Sequence, residues 1–160
     1  MRRALTITAV VLGVLILAGL ASIQQTSKPD FSGVWSLNLQ KSKLQIPAPD
    51  SGVFTIDHKE PGFRLSRTFV KGGQSDVWSI DLTTDGKEVV QEEKTETFRG
   101  RLSWEGNNLV LNSTITITDR TATNVVRYRL SDDGLTLTAT ESFRGPRLKY
   151  DNVWVFDKSK

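Results

Sequence analysis

The chain carries a single histidine, His58, set between Asp57 and the pair Lys59-Glu60. An imidazole beside carboxylates is the residue set of general acid–base catalysis or of a metal site, provided that the groups converge on one point. Neighbours on a strand point to opposite faces, so Asp57 and Lys59 turn away from the ring. His58 is therefore expected at the surface. Glu92, Glu93 and Glu96 form a second acidic grouping. They fall where the strand period breaks, which suits a solvated bulge better than a carboxylate pair. With no cysteine there is no thiol nucleophile. No G-x-S-x-G elbow, phosphate-binding glycine loop or metal-ligand spacing occurs. The expectation is no catalytic residue, no metal and no cofactor; an enzyme would take the form of a barrel-cavity isomerase or hydrolase.

Arg67 carries more chemistry. It shares strand parity with Phe63, Leu65 and Phe69, and a turn at Gly72-Gly73 sets it opposite Trp78. A charge on an apolar face is costly unless it is paired or used. Arg67 thus either holds an anionic head group or stacks on Trp78 and closes a barrel end.

A run of hairpins must position these residues. From Val53 onward, strand-like segments alternate with turn signals at Pro61-Gly62, Gly72-Gly73, Asp85-Gly86, Gly106-Asn107, Asp119-Arg120, Asp132-Asp133-Gly134 and Gly145-Pro146. Such punctuation indicates antiparallel β structure. A turn centred on Gly106-Asn107 pairs Trp104 with Leu109, Leu102 with Leu111 and Gly100 with Ser113. Centring the next turns on Asp119-Arg120, Asp132-Asp133 and Gly145-Pro146 pairs Leu111 with Tyr128, Tyr128 with Leu137, and Leu137 with Trp154. The apolar residues then share one face throughout, and Arg99, Arg101, Asn112, Arg127 and Arg129 share the other. Val89 and Gln91 are matched to Leu82 and Ile80 across Asp85-Gly86, with a bulge in residues 92–95 to restore parity before Phe98.

These rows locate a hollow. The rows containing Trp104 and Leu102 are bulky, whereas Gly100, Ser113, Val126, Ala139 and Asn152 are small or polar. One end is expected to be plugged and the other to open toward the Asp119 and Gly145 turns. Phe98, Ile115, Asn124, Glu141 and Tyr150 would rim the opening. The candidate ligand-binding residues are Arg67, Trp78, Phe98, Gly100, Ser113, Val126, Ala139, Tyr150 and Asn152.

The folded part opens on Phe31-Ser32-Gly33-Val34-Trp35-Ser36-Leu37-Asn38, where Gly33 lets a large indole lie across the barrel end and Asn38 can cap one helical turn through Lys43. This stretch, Thr83 to Glu88, Trp104-Glu105-Gly106, Leu130 to Leu137 and Val153 to Lys158 together resemble a group of exported bacterial proteins with a small lipocalin-like β-barrel. The resemblance implies a lipocalin-like all-β fold, and the unbroken series of hairpins predicts an antiparallel up-and-down barrel of 8–10 strands, closed by Lys149–Phe156 on Gly33–Leu39 to remove the sheet edges. Gly33-Val34-Trp35 also matches the first lipocalin motif, whereas the later T-D-Y motif is absent.

Residues 1–21 read as a signal peptide: Arg2 and Arg3, then 17 uncharged residues from Ala4 to Leu20, then Ala21. The alternative is an inner-membrane anchor over residues 4–23. Residues 22–30 form a linker, 31–157 the barrel and 158–160 a tail. Without Arg2 and Arg3, 19 basic residues face 18 acidic ones, a net charge of +1 that gives little reason to expect nucleic acid. The expected protein is periplasmic or secreted and binds a small apolar or amphipathic molecule. The alternative is a solid-packed module that acts through its surface.

Overall fold

Period-two alternation of buried and exposed residues marks strands such as Ser51–Lys59 and Glu96–Glu105 in the computed structural model, which describes residues 28–159. The signal or anchor of residues 1–21 lies outside the described residues. Turn residues divide the chain into ten strands: β1 (Gly33–Leu37), β2 (Ser51–Lys59), β3 (Gly62–Lys71), β4 (Gln74–Thr83) and β5 (Asp85–Glu92). They continue as β6 (Glu96–Glu105), β7 (Asn108–Ile117), β8 (Arg120–Leu130), β9 (Thr136–Arg144) and β10 (Lys149–Lys158). They form one antiparallel sheet in the order β4-β3-β2-β1-β10-β9-β8-β7-β6-β5. This is an up-and-down barrel, nearly closed. As expected, the last strand returns to the first, with Trp35 opposite Lys158 and Leu37 opposite Phe156. Lys158 belongs to that ladder, and Ser159 donates its N–H to the Val34 carbonyl, so pairing runs into the residues read as a tail.

The barrel stays open between β4 and β5, where no hydrogen-bonded ladder forms. The expected match of Val89 and Gln91 to Leu82 and Ile80 is therefore incorrect. Thr84 explains the gap: its N–H donates to the Pro61 carbonyl at 2.8 Å and its hydroxyl to Glu60 at 2.5 Å. The chain is thereby tied to the β2–β3 turn and cannot fold back on itself. β5 pairs with β6 instead, Val89 facing Gly100 and Gln91 facing Phe98. The irregularity lies at Asp85–Glu88, not in residues 92–95, which make a turn closed by Glu93 N–H on the Glu96 carbonyl. A hairpin turn exchanges odd for even parity, and no bulge is needed there.

The Gly106-Asn107 hairpin has the expected register. The next three are displaced by two residues. Thr118 takes a left-handed conformation at φ 57° and the turn falls on Thr118-Asp119 instead of Asp119-Arg120, so Ile117 meets Arg120 and Leu111 meets Val126. The β8–β9 loop spans Ser131 to Leu135, which sets Tyr128 opposite Ala139. The last turn is closed by Gly145 N–H on the Leu148 carbonyl, which sets Ala139 opposite Trp154. Each displacement is even, so every side chain keeps its predicted face. Asn38 caps a turn through Lys41 N–H as expected, but the helical turn does not reach Lys43, whose backbone bridges to Val153 instead.

One end is filled solid. Phe31, Trp35, Phe63, Leu109, Leu137 and Phe156 are essentially inaccessible there. The incoming segment crosses the barrel end and lays Phe31 against Phe63 and Trp104. His58 belongs to this plug, and its expected surface position is incorrect: the side chain is 3% exposed. Its Nδ1 accepts the Phe31 N–H at 3.2 Å, and its Nε2 faces Glu60 Oε1 at 3.0 Å. The first contact makes Nδ1 the acceptor, so the proton sits on Nε2. Glu60 Oε1 also accepts Trp104 Nε1–H at 2.8 Å.

Candidate functional site

The other half of the barrel is hollow. A cavity of about 170 Å³ opens toward the turns after β7 and β9, the end expected to be open. Phe54 of β2 and Leu65, Arg67 and Phe69 of β3 form one wall. Trp78 of β4 and Phe98 of β6 form the next, and their rings meet edge to face at 5.6 Å across the unpaired β4–β5 joint. Side chains thus close the wall where the backbone does not. Glu96 of β6, Leu111, Ser113 and Ile115 of β7, Asn124, Val126 and Tyr128 of β8, and Ala139, Glu141 and Trp154 of β9 and β10 complete the lining.

Three charged side chains line this space, Arg67, Glu96 and Glu141. Arg67 donates from Nη2 to Asp76 Oδ2 at 2.9 Å. Its guanidinium lies 5.5 Å from the ring centroids of both Phe69 and Trp78. The expected stacking on Trp78 is present, and the register places the two opposite each other. Glu141 accepts three N–H bonds: Asn124 Nδ2 on Oε1 at 3.0 Å, and Asn152 Nδ2 and Trp154 Nε1 on Oε2 at 3.0 and 2.8 Å. Three donors converging on one carboxyl suit an acceptor-only carboxylate. Burial, then the Glu141 charge, raises the pKa of the Tyr128 phenol, and the same causes push Tyr150 up to about 12.

Of the nine candidate residues, Arg67, Trp78, Phe98, Ser113, Val126 and Ala139 line the cavity together. Asn152 stands behind the wall, 2% exposed, holding Glu141 while its Oδ1 accepts the Gln45 N–H. Tyr150 stacks on Phe143 at 4.9 Å and lines an outer hollow of about 380 Å³ between residues 46–49 and the β3–β4 turn. Arg67, Phe69, Glu141 and Trp154 border both spaces, so the hollow adjoins the cavity at its open end. Asn124 and Glu141, expected on the rim, sit in the inner wall. Phe54, Phe69 and Trp154 were not among the candidates, although the parity that Phe69 shares with Arg67 carried the signal.

Gly100 is not open space. A Cβ there would lie 2.6 Å from the Phe98 ring, which fills the hollow expected above the glycine. Gly100→Leu should accordingly overpack, costing about 1–3 kcal/mol, and should drive the Phe98 ring into the cavity. A urea midpoint unchanged from the parent would contradict this placement.

No protein-family model matches the chain, and no curated protein does. Solved structures do match. Secretory abundant heat soluble protein 4 of Ramazzottius varieornatus is 16% identical, with a TM-score of 0.53 over 86% of this chain and 99% of that one. Zebrafish ileal bile acid-binding protein, solved with cholic acid, is 19% identical, with a TM-score of 0.51 over 81% and 98%. A point mutant of the fluorescent protein UnaG is 12% identical, with a TM-score of 0.51 over 81% and 96%. The fold is lipocalin-like. At these identities the likeness concerns the fold alone, and one fold hosts many activities.

Proposed function

We propose that this chain is a non-catalytic lipocalin-like barrel of the bacterial envelope that takes a small amphipathic molecule into its open half. The observation that carries the reading is the cavity of about 170 Å³, largely aromatic and aliphatic in its walls, with Arg67, Glu96 and Glu141 in its lining. Ligand sites are commonly apolar clefts with a few convergent polar groups. The volume is below the roughly 300–1,000 Å³ of drug-sized pockets and close to the ~150 Å³ of an engineered cavity that holds benzene. One ring or a short chain fits, and a longer molecule would extend into the adjoining hollow beside Pro47 and Tyr150. That the zebrafish neighbour was solved with cholic acid lends the reading support. Binding is favoured over catalysis because His58, the one histidine, is locked between Phe31 and Glu60 at the plugged end. The composition of residues 1–21 supports export, with cleavage after Ala21 or retention as an anchor.

Native mass spectrometry of protein purified from its own host tests the reading. The expected result is an added small-molecule mass that apolar competitors displace. Absence of any such mass, together with no uptake of an apolar fluorescent probe, would favour the solid-packed interaction module instead.

A further inference from the structure

The polar groups around the cavity are specific about charge. Glu141 presents a fixed carboxylate, and its Oε2 already accepts two N–H bonds while Oε1 accepts one. A carboxylate oxygen has room for about two donors, so Oε1 retains one acceptor site. Asn124 points the same way. Its Nδ2 is committed to Glu141, and a flipped amide would set its carbonyl oxygen against the carboxylate, which fixes the orientation. Asn124 Oδ1 is consequently an acceptor, and it is buried with no hydrogen-bond partner among the described residues.

The positive charge is already engaged. Arg67 is paired with Asp76 and held over two rings, which leaves Nε as a buried donor without a partner among the described residues. Arg67 and Asp76 cancel, and Glu141 and Glu96, which both line the cavity, leave two net negative charges. An anion entering here would meet Glu141 in a partly desolvated site, and only a guanidinium already neutralised would oppose that repulsion. A hydroxyl fits the inventory better, because it can donate to Asn124 Oδ1 or Glu141 Oε1 and can accept from a donor such as Arg67 Nε.

We infer that the head group selected by this cavity is uncharged and hydroxyl-bearing, and that carboxylates are rejected. The inference rests on the reading of the cavity as a ligand site. It sets this chain apart from a barrel that holds an acid: the one arginine lining the cavity is already paired, and a carboxylate lines the cavity beside it.

Three probes that share one ring test it: toluene, benzyl alcohol and benzoate, titrated into the intact barrel at pH 7 and followed by calorimetry and by the Trp154 indole resonance. Benzyl alcohol should bind about fivefold tighter than toluene, the value of one modest hydrogen bond. Benzoate should bind at least about tenfold more weakly than benzyl alcohol. Asn124→Leu should bring benzyl alcohol down to the affinity of toluene. Glu141→Gln should narrow the gap between benzoate and benzyl alcohol, read as the ratio of the two affinities in the same variant. The comparison on the parent protein stands even if either variant fails to fold. Benzoate equal to or tighter than benzyl alcohol overturns the inference while leaving the cavity reading intact. Failure of all three probes to bind overturns the cavity reading itself.

Discussion

Replacing Trp35 by alanine is expected to cost about 3–5 kcal/mol of stability, the scale of large aromatic truncations in cores. The indole is completely buried, its Nε1–H donates to the Phe31 carbonyl at 3.0 Å, and Lys158 Nζ lies 5.1 Å from the ring centroid. Trp35 also sits on β1, which is paired on both sides and joins the two halves of the barrel. Gly33 makes the placement feasible: it lies at φ 142°, and a Cβ there would come within 2.9 Å of the Lys158 side chain. Truncation would remove the ring, the anchor of Phe31 and part of the support for closure together. Thermal and urea unfolding of the variant measure the cost, and a midpoint close to the parent's would contradict the organising role of this residue.

Glu60→Ala is expected to be the next most damaging change, at about 1–3 kcal/mol. Its carboxylate accepts from the Thr84 hydroxyl, from His58 and from Trp104. Thr84 and the His58 side chain are almost fully buried, so their donors depend on this half-exposed carboxylate for a partner. Thr84 would also lose one of the two bonds that keep the β4–β5 joint apart. The same residue predicts how stability depends on pH. Burial pushes the Glu60 carboxyl up, but the hydrogen bonds from Thr84, His58 and Trp104 outweigh it, leaving the group below its ordinary value of 4.5. Hydrogen bonds from Ser32 hold Asp30 down as well. A group with a depressed folded pKa stabilises fully above its unfolded value, and that contribution disappears as pH falls through the folded value. Stability should therefore be level from about pH 5 upward and decline below about pH 4. In Glu60→Gln the decline should be shallower. Urea midpoints across that range decide the matter, and a parent curve that stays level down to about pH 3 would contradict the network.

Much of the barrel was legible because a two-residue period and strong turn signals are local properties. Gly72-Gly73 placed Arg67 opposite Trp78, and Gly106-Asn107 gave its hairpin in the correct register. Parity survived even where three registers moved by two, because an even displacement leaves each side chain on its face. What was missed depends on contacts far apart in sequence. His58 is buried by the segment around Phe31, 27 residues earlier. The Asp85-Gly86 signal suggested a hairpin, yet the bonds of Thr84 to Pro61 and Glu60 hold β4 away from β5. Thr118 takes a left-handed conformation uncommon outside glycine, asparagine and aspartate, so its turn lay one position from the obvious residues. The hollow above Gly100 failed for a rotameric reason, since the spacing of residues does not reveal where the Phe98 ring turns. The cavity survived that error because Ser113, Val126 and Ala139 remain small on the same face.

The central claim, a ligand cavity confined to the open half of a barrel plugged at the other end, is tested most directly by a residue-resolved titration. Amide and indole resonances of the intact barrel would be followed as toluene is added. Saturable shifts are predicted at Ser113, Val126, Ala139 and Trp154, which line the cavity, with Leu109, Leu137 and Phe156 in the plug unmoved. Shifts confined to the outer surface, or none at saturating toluene, would contradict it.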